Sequence, residues 1–334
     1  MSKPFICIVT PALADANNGN WQTAHRWQRM LAKHYEVKLF KHWSKPCTPN
    51  PAAMLALHAH KSAESIQNWT QAYPGRPLIV VLTGTDLYRD IASQTQAQES
   101  LELAHRLVVL QDAGPWALAE HLRSKCRVVY QSCTARKTLT KTKRHLRVVM
   151  VGHLRDEKWP QTLFEAARLI RPDEGIYIDH IGQALQPELQ TDALKTAQDC
   201  PHYRWLQSLP HSVTRNHIQR AHVLVHTSRM EGGAHVVMEA VRSGTPVLAS
   251  HIDGNVGMLG SHYSGYFEAG NATALVRSLR ECRATQSQPD GMLSQLEQEC
   301  MARADLFAPS GEQAALLSLL EELKLSPHQS STPS

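Results

Sequence analysis

Short apolar, β-branched runs alternate with amphipathic helical stretches along this chain, and the pattern occurs twice. Such alternation specifies parallel strands, because parallel neighbours need a crossover long enough to bring the chain back to the same edge of the sheet. In the first half the strand candidates are 5–9, 36–40, 78–82, 106–110 and 126–130, with helical spacing over 21–33 and 98–104. The stretch 132–145 is polar and basic, carries Lys137, Lys141, Lys143 and Arg144 without apolar periodicity, and reads as a connector. A second series follows at 147–151, 176–181, 203–206, 223–226 and 246–250, and 293–305 and 312–325 have the spacing of closing helices. The expectation is therefore an α/β protein of two doubly wound parallel-sheet domains facing across a cleft. Its parts would be a first domain over 1–135, a linker over 136–146, a second domain over 147–305, a closing helix over 306–325 and a disordered tail over 326–334.

A length of 334 residues suits two such domains, and 42% apolar with 19% charged residues lets each bury its own core. Lys and Arg number 35 against 30 Asp and Glu, an excess that suits a phosphorylated ligand but is too small and too scattered for a nucleic-acid binder. The seven cysteines, Cys47 among them, include no C-x-x-C pair, so neither a disulfide framework nor a zinc site is indicated. Residues 5–9 follow Pro4 without a basic or long apolar leader, which reads as a first strand in a reducing cytoplasm. No apolar run approaches the ~20 residues that span a bilayer, and no basic amphipathic helix offers stable membrane association.

The chemistry concentrates in two segments of the second half. Residues 223–234 read as a strand, a glycine loop and a helix start, with Arg229, Glu231, Gly232, Gly233 and Ala234 in the loop and Glu239 in the helix, before Gly244-Thr245-Pro246. Paired glycines allow close backbone approach, and unpaired amides at a helix start attract a diphosphate. Carboxylates accept hydroxyl hydrogen bonds, so Glu231 suits a sugar and Glu239 a ribose diol. The bland alternative is a tight turn at Gly232-Gly233 and a solvated Glu239. Gly152-His153-Leu154-Arg155-Asp156-Glu157-Lys158 opens the same domain, and its lysine would neutralise a leaving diphosphate; alone, the run is also an ordinary charged loop. In the first half a small-residue loop over 10–18 leads to a helix start at Gly19-Asn20-Trp21-Gln22-Thr23, where Asn20 and Thr23 are candidate contacts. Thr83, Thr85, Asp86 and Arg89 follow the strand at 78–82, and Asp86 has a helix N-cap as its alternative. His58 and His60 stand two apart, so they would not share a helix face as a metal pair.

The Gly152…Lys158 run and the Glu231-x7-Glu239 element before Gly244-Thr245-Pro246 resemble the donor half of glycosyltransferase family 4, and the resemblance spans nearly the whole chain. It implies a GT-B fold of two Rossmann-like domains. It also implies Lys158 on the donor diphosphate, Glu231 and the backbone of Gly232, Gly233 and Ala234 on the sugar, Glu239 on the ribose and Leu209 beside the base. The family's usual arginine after the glycine is His153 here, so Arg155 takes the phosphate role. Gly19, Asn20 and Arg229 complete the implied donor set, with Lys158, Glu231 and Arg155 as its catalytic members. A narrower resemblance, to the selenosugar synthases of selenoneine biosynthesis, lies in Gly19-Asn20-Trp21-Gln22-Thr23-Ala24, residues 82–90, residues 152–158 and Asp253-Gly254-Asn255-Val256-Gly257-Met258-Leu259-Gly260 followed by Gly265-Tyr266-Phe267. That likeness implies UDP-N-acetylglucosamine as co-substrate, selenophosphate as acceptor held by Asn20, Thr23, Thr83, Thr85 and Asp86, and inversion from an α-linked donor. No metal and no other cofactor are expected. The competing functions are transfer to a thiol or other small metabolite, a nucleotide-sugar epimerase or phosphorylase, and a nucleotide-sugar sensor without catalysis.

Overall fold

The computed structural model describes residues 3–13, 19–45 and 50–325; the tail 326–334, Cys47 and residues 14–18 of the first loop lie outside them. The chain forms two units, one of residues 1–131 together with 309–334, the other of residues 132–308.

In the first unit β1 (Phe5–Val9), β2 (Glu36–Phe40), β3 (Ala53–Leu57), β4 (Leu78–Val81), β5 (Arg106–Val109) and β6 (Cys126–Val128) form one parallel sheet in the order β2-β1-β3-β4-β5-β6. Helices cover both faces, so the inner strands are apolar throughout rather than alternating. Phe5, Cys7 and Val9 pack with Trp43, Ile66 and Trp69 on one side. Ile6 and Ile8 pack with Trp27, Leu31 and Leu316 on the other.

Strand β3 is absent from the sequence expectation. Ala53-Met54-Leu55-Ala56-Leu57 holds no β-branched residue and has good helix formers throughout. It is extended because its place between β1 and β4 buries all five residues, and tertiary context overrides propensity.

The last described helix, Pro309–Glu322, belongs to the first unit. Leu316, Leu319 and Leu320 enter its core, and Glu312, 1% exposed, accepts hydrogen bonds from Arg26 Nε at 2.8 Å and Trp27 Nε1 at 2.6 Å. Replacing Glu312 with alanine takes the acceptor from the buried Trp27 N–H and removes the ion pair of the half-buried Arg26. A loss of about 2 kcal/mol is expected, read from the urea midpoint; an unchanged midpoint would show that the helix is held by its leucines alone.

The second unit holds β7 (Leu146–Val151), β8 (Ile176–Ile181), β9 (Tyr203–Trp205), β10 (Val223–His226), β11 (Val247–Ser250) and the two-residue β12 (Tyr266–Phe267). They form a second parallel sheet in the order β12-β11-β10-β7-β8-β9. The polar stretch expected as a linker lies along this unit. Arg136 N donates to Arg242 O at 2.8 Å, Lys141 Nζ to Gly244 O at 3.1 Å, and Thr142 O lies 2.8 Å from His222 Nε2. No described helix is long and apolar enough to cross a membrane.

Candidate active site

In the second sheet the strand order reverses between β7 and β10, which lie side by side with Val148 opposite Val223. Ligands of doubly wound sheets bind outside the carboxyl ends of strands at such a reversal. The loops that leave these two strands carry Lys158 and Glu231. Beyond β7 and β8 the backbones of Gly152 and Gly182 approach so closely that a Cβ on Gly182 would lie 1.9 Å from Gly152 O. A 3-10 turn over Asp156–Lys158 then ends at Trp159, whose φ of 45° is left-handed. The loop after β10 meets this turn. Thr227 Oγ1 donates to Lys158 O at 2.8 Å, Arg229 N donates to Glu157 O at 3.0 Å, and the Lys158 ammonium pairs with the Glu231 carboxylate.

Burial by itself would raise the Glu231 carboxyl. The Lys158 charge, the largest influence lowering it, outweighs burial and holds the group well below the usual carboxylate range, so Glu231 is an anion. His226 sits beneath it with Nε2 at 3.3 Å from Glu231 Oε1. The helix His235–Val241 carries Glu239, which is 2% exposed and so is no solvated helix residue. Its Oε1 meets His211 Nε2 at 2.6 Å, His235 Nδ1 at 3.4 Å and Arg215 at 3.7 Å. Burial opposes its charge, but His211, His235 and Arg215 bring it down to about 2. In return Glu239 raises His211. Neither His226 nor the His211–Arg215–His235 set was singled out from sequence. His235, one helical turn before Glu239, was legible; His211 and Arg215, 28 and 24 positions away, were not.

The remaining donor-side candidates divide. Gly232 is buried, Gly233 half-buried and Leu209 half-buried. The Ala234 amide, expected to contact the sugar, donates to Met258 Sδ at 3.0 Å. Arg229 stacks over Trp159 at 4.0 Å and pairs with Asp156 at 3.2 Å. Arg155 is exposed with its Nε 3.8 Å from Glu157 Oε2. His153 Nδ1 accepts from Gln183 N at 3.2 Å. Packing, with Arg155 and Lys158 beside it, lowers its pKa, so His153 brings no positive charge at neutral pH where the family arginine would.

In the first unit Gly19 starts the helix Gly19–Leu31 and Asn20 is half-buried. Thr23 is buried: its hydroxyl donates to Gly19 O at 2.8 Å and accepts from Gln131 Nε2, which makes it a brace for the helix start rather than an open acceptor contact. Asp86, another expected acceptor contact on this side, is held by three backbone amides. It is wholly buried, Oδ1 accepts from the amides of Thr83 at 2.8 Å and Gly84 at 3.0 Å, and Oδ2 accepts from the Ala59 amide at 3.0 Å. It therefore ties the end of β4 to the end of β3. Thr83 and Thr85 stay half-buried, and Thr85 Oγ1 lies 3.1 Å from Nε2 of His58. His58, missed as a site candidate, is buried with a φ of 74° and has Asp90 at 3.8 Å. Such strain in a non-glycine residue is held only where neighbours over-determine the geometry. Among the described residues no group of three or more His, Cys, Asp or Glu is arranged to hold a metal ion.

Residues 133–292 match the family model described as glycosyl transferases group 1. No curated protein sequence matches the chain. Among solved structures, the chain is similar to a sucrose-phosphate synthase from Thermosynechococcus elongatus, at TM-score 0.76 and 14% identity over 96% of this chain and 99% of that one. It is similar to Anabaena Alr3699/HepE, solved in complex with UDP and glucose, at TM-score 0.73 and 14% identity over 96% and 100%. A TarM mutant from S. aureus, in complex with fondaparinux, alpha-GlcNAc-glycerol and UDP, aligns at TM-score 0.64 and 12% identity over 80% of this chain; the chain spans 55% of its length. The second unit thus carries the match to the glycosyl transferases group 1 family, over residues 133–292, and the chain has the two-sheet fold of GT-B glycosyltransferases.

Proposed function

We propose that the chain transfers N-acetylglucosamine from UDP to selenophosphate and forms the carbon–selenium bond of a selenosugar in selenoneine biosynthesis. The observation that carries the donor half is the meeting of Lys158 with Glu231 at the β7–β10 reversal, where a diphosphate and its sugar would find one cation and one anion together. UDP as the carrier is supported by the structures of similar fold, two of which were solved with UDP bound. The acceptor rests on the likeness of residues 19–24, 82–90 and 253–260 to selenosugar synthases.

In this reading Lys158 turns to the diphosphate, with Arg155 on its outer side. Glu231 holds sugar hydroxyls and Glu239 the ribose diol. A selenium lone pair attacks the anomeric carbon while the bond from that carbon to the phosphate oxygen breaks, UDP leaves with the electron pair, and the phosphoryl group stays on selenium in the immediate product, a glycosyl selenophosphate. The nucleophile arrives anionic and polarisable, so no general base has to deprotonate it. The protein's task is to position two anions and to stabilise charge on the leaving group.

The test is mass spectrometry of products from UDP-N-acetylglucosamine with selenophosphate, thiophosphate or small thiols, each with and without a strong chelator. A selenium-containing hexosamine product with UDP release, undiminished by the chelator, is expected. Exclusive use of thiols would overturn the acceptor. Turnover abolished by the chelator and restored by a divalent cation would overturn metal independence, and UDP-sugar turnover with no acceptor would favour an epimerase.

A further inference from the structure

Below Glu231 runs a buried polar chain that the proposed reaction does not use. Strand β10 ends in His226, 1% exposed, whose Nδ1 lies 3.1 Å from Asn255 Oδ1. The Asn255 amide is oriented from its far side, because Nδ2 donates to Ser250 O at 2.9 Å and faces Ser250 Oγ at 3.1 Å. Oδ1 therefore points at the ring, an acceptor-only atom, and requires the N–H at Nδ1. The other nitrogen, Nε2, faces Ser228 Oγ at 3.2 Å and Glu231 Oε1 at 3.3 Å. While Lys158 neutralises Glu231, a second buried cation would be superfluous, and the Ser228 hydroxyl satisfies Nε2.

A diphosphate at the Lys158 ammonium would compete with the Glu231 carboxylate for its three N–H donors. Once it turns away, Glu231, 9% exposed, becomes a buried anion without its main counter-ion, which is costly. We propose that His226 is a positioning residue that takes one proton from solvent at Nε2 when a nucleoside diphosphate draws Lys158 away, so that the imidazolium replaces the ammonium as partner of Glu231. Ser228 Oγ then changes from donor to acceptor. The charged groups facing the ring are Glu231, from the loop after β10, and Lys158 across it; β11 and the helix Asp253–Leu259 contribute the neutral Ser250 and Asn255. The inference rests on the donor reading of the same site.

Calorimetric titration of the whole protein with UDP, in two buffers of different ionisation enthalpy at about pH 8, above the ordinary imidazole range, tests it. Uptake of about one proton per UDP bound is expected for the wild type and close to none for His226→Gln. Should that variant fold poorly, histidine 15N spectra of the wild type give the same answer: the His226 resonances move from the Nδ1–H tautomer to the doubly protonated form on adding UDP. UDP binding with no proton uptake and unmoved His226 resonances overturns this inference alone. Absence of UDP binding overturns the donor reading and the inference with it.

Discussion

On the proposed donor reading, replacing Lys158 with alanine is expected to lower sugar-nucleotide turnover by about 10²–10³-fold, the range seen when one preorganised group at a developing anion is removed. Sequence reasoning alone suggests an effect on turnover far larger than on folding. The structure changes that expectation. Lys158 and Glu231 side chains are only 15% and 10% exposed, so the alanine leaves a buried carboxylate short of its main partner. Removing one member of a buried pair costs about 3 kcal/mol, which shows as a lower urea midpoint at unchanged slope. In the wild type the depressed Glu231 carboxyl contributes stability that is present above its usual 4.5 and is lost as pH falls through its lowered value. The double variant Lys158→Ala/Glu231→Gln separates the two effects: it regains most of the stability and none of the turnover. Wild-type kinetics in the single variant would end the leaving-group role of Lys158, whatever its stability.

Gly254→Ala is expected to damage the site from behind. A Cβ on Gly254 would lie 2.0 Å from Glu231 O and 2.8 Å from its carbonyl carbon. Both are backbone atoms, so relief requires moving the Glu231 loop rather than a flexible side chain. The cost in stability is about 2 kcal/mol, and a misplacement of about 1 Å at a reacting centre costs about 10²-fold in rate. Gly152→Ala is the internal contrast, since its Cβ would meet only the Lys158 methylenes at 3.5 Å, an ordinary contact. It should keep near-wild-type stability. Steady-state kinetics and thermal unfolding of the two variants decide the matter; a Gly254→Ala enzyme within twofold of wild type in kcat/KM would show that the loop yields without consequence to the reaction.

Local sequence determined the kinds of element and the residue chemistry of the second unit. The apolar runs at 147–151 and 223–226 became β7 and β10, and Lys158, Glu231 and Glu239 were legible because a glycine loop after a strand, with charges at set offsets, is a local pattern. Where local preference and burial disagreed, sequence failed. Residues 53–57 favour helix but are extended in the middle of a sheet, and the bonds of Thr23 to Gln131, of Asp86 to the Ala59 amide and of the Ala234 amide to Met258 are partnerships no local pattern shows. What only the tertiary structure decided is adjacency. Lys158 and Glu231 are 73 residues apart in the chain and meet because β10 pairs with β7. The imidazole, amide and hydroxyls beneath them are assembled from β10, β11 and the helix after β11. Periodicity tells which face of an element must be buried. Which distant element buries it is settled only when all the faces compete for the same core, and that competition is what brings the two charges together.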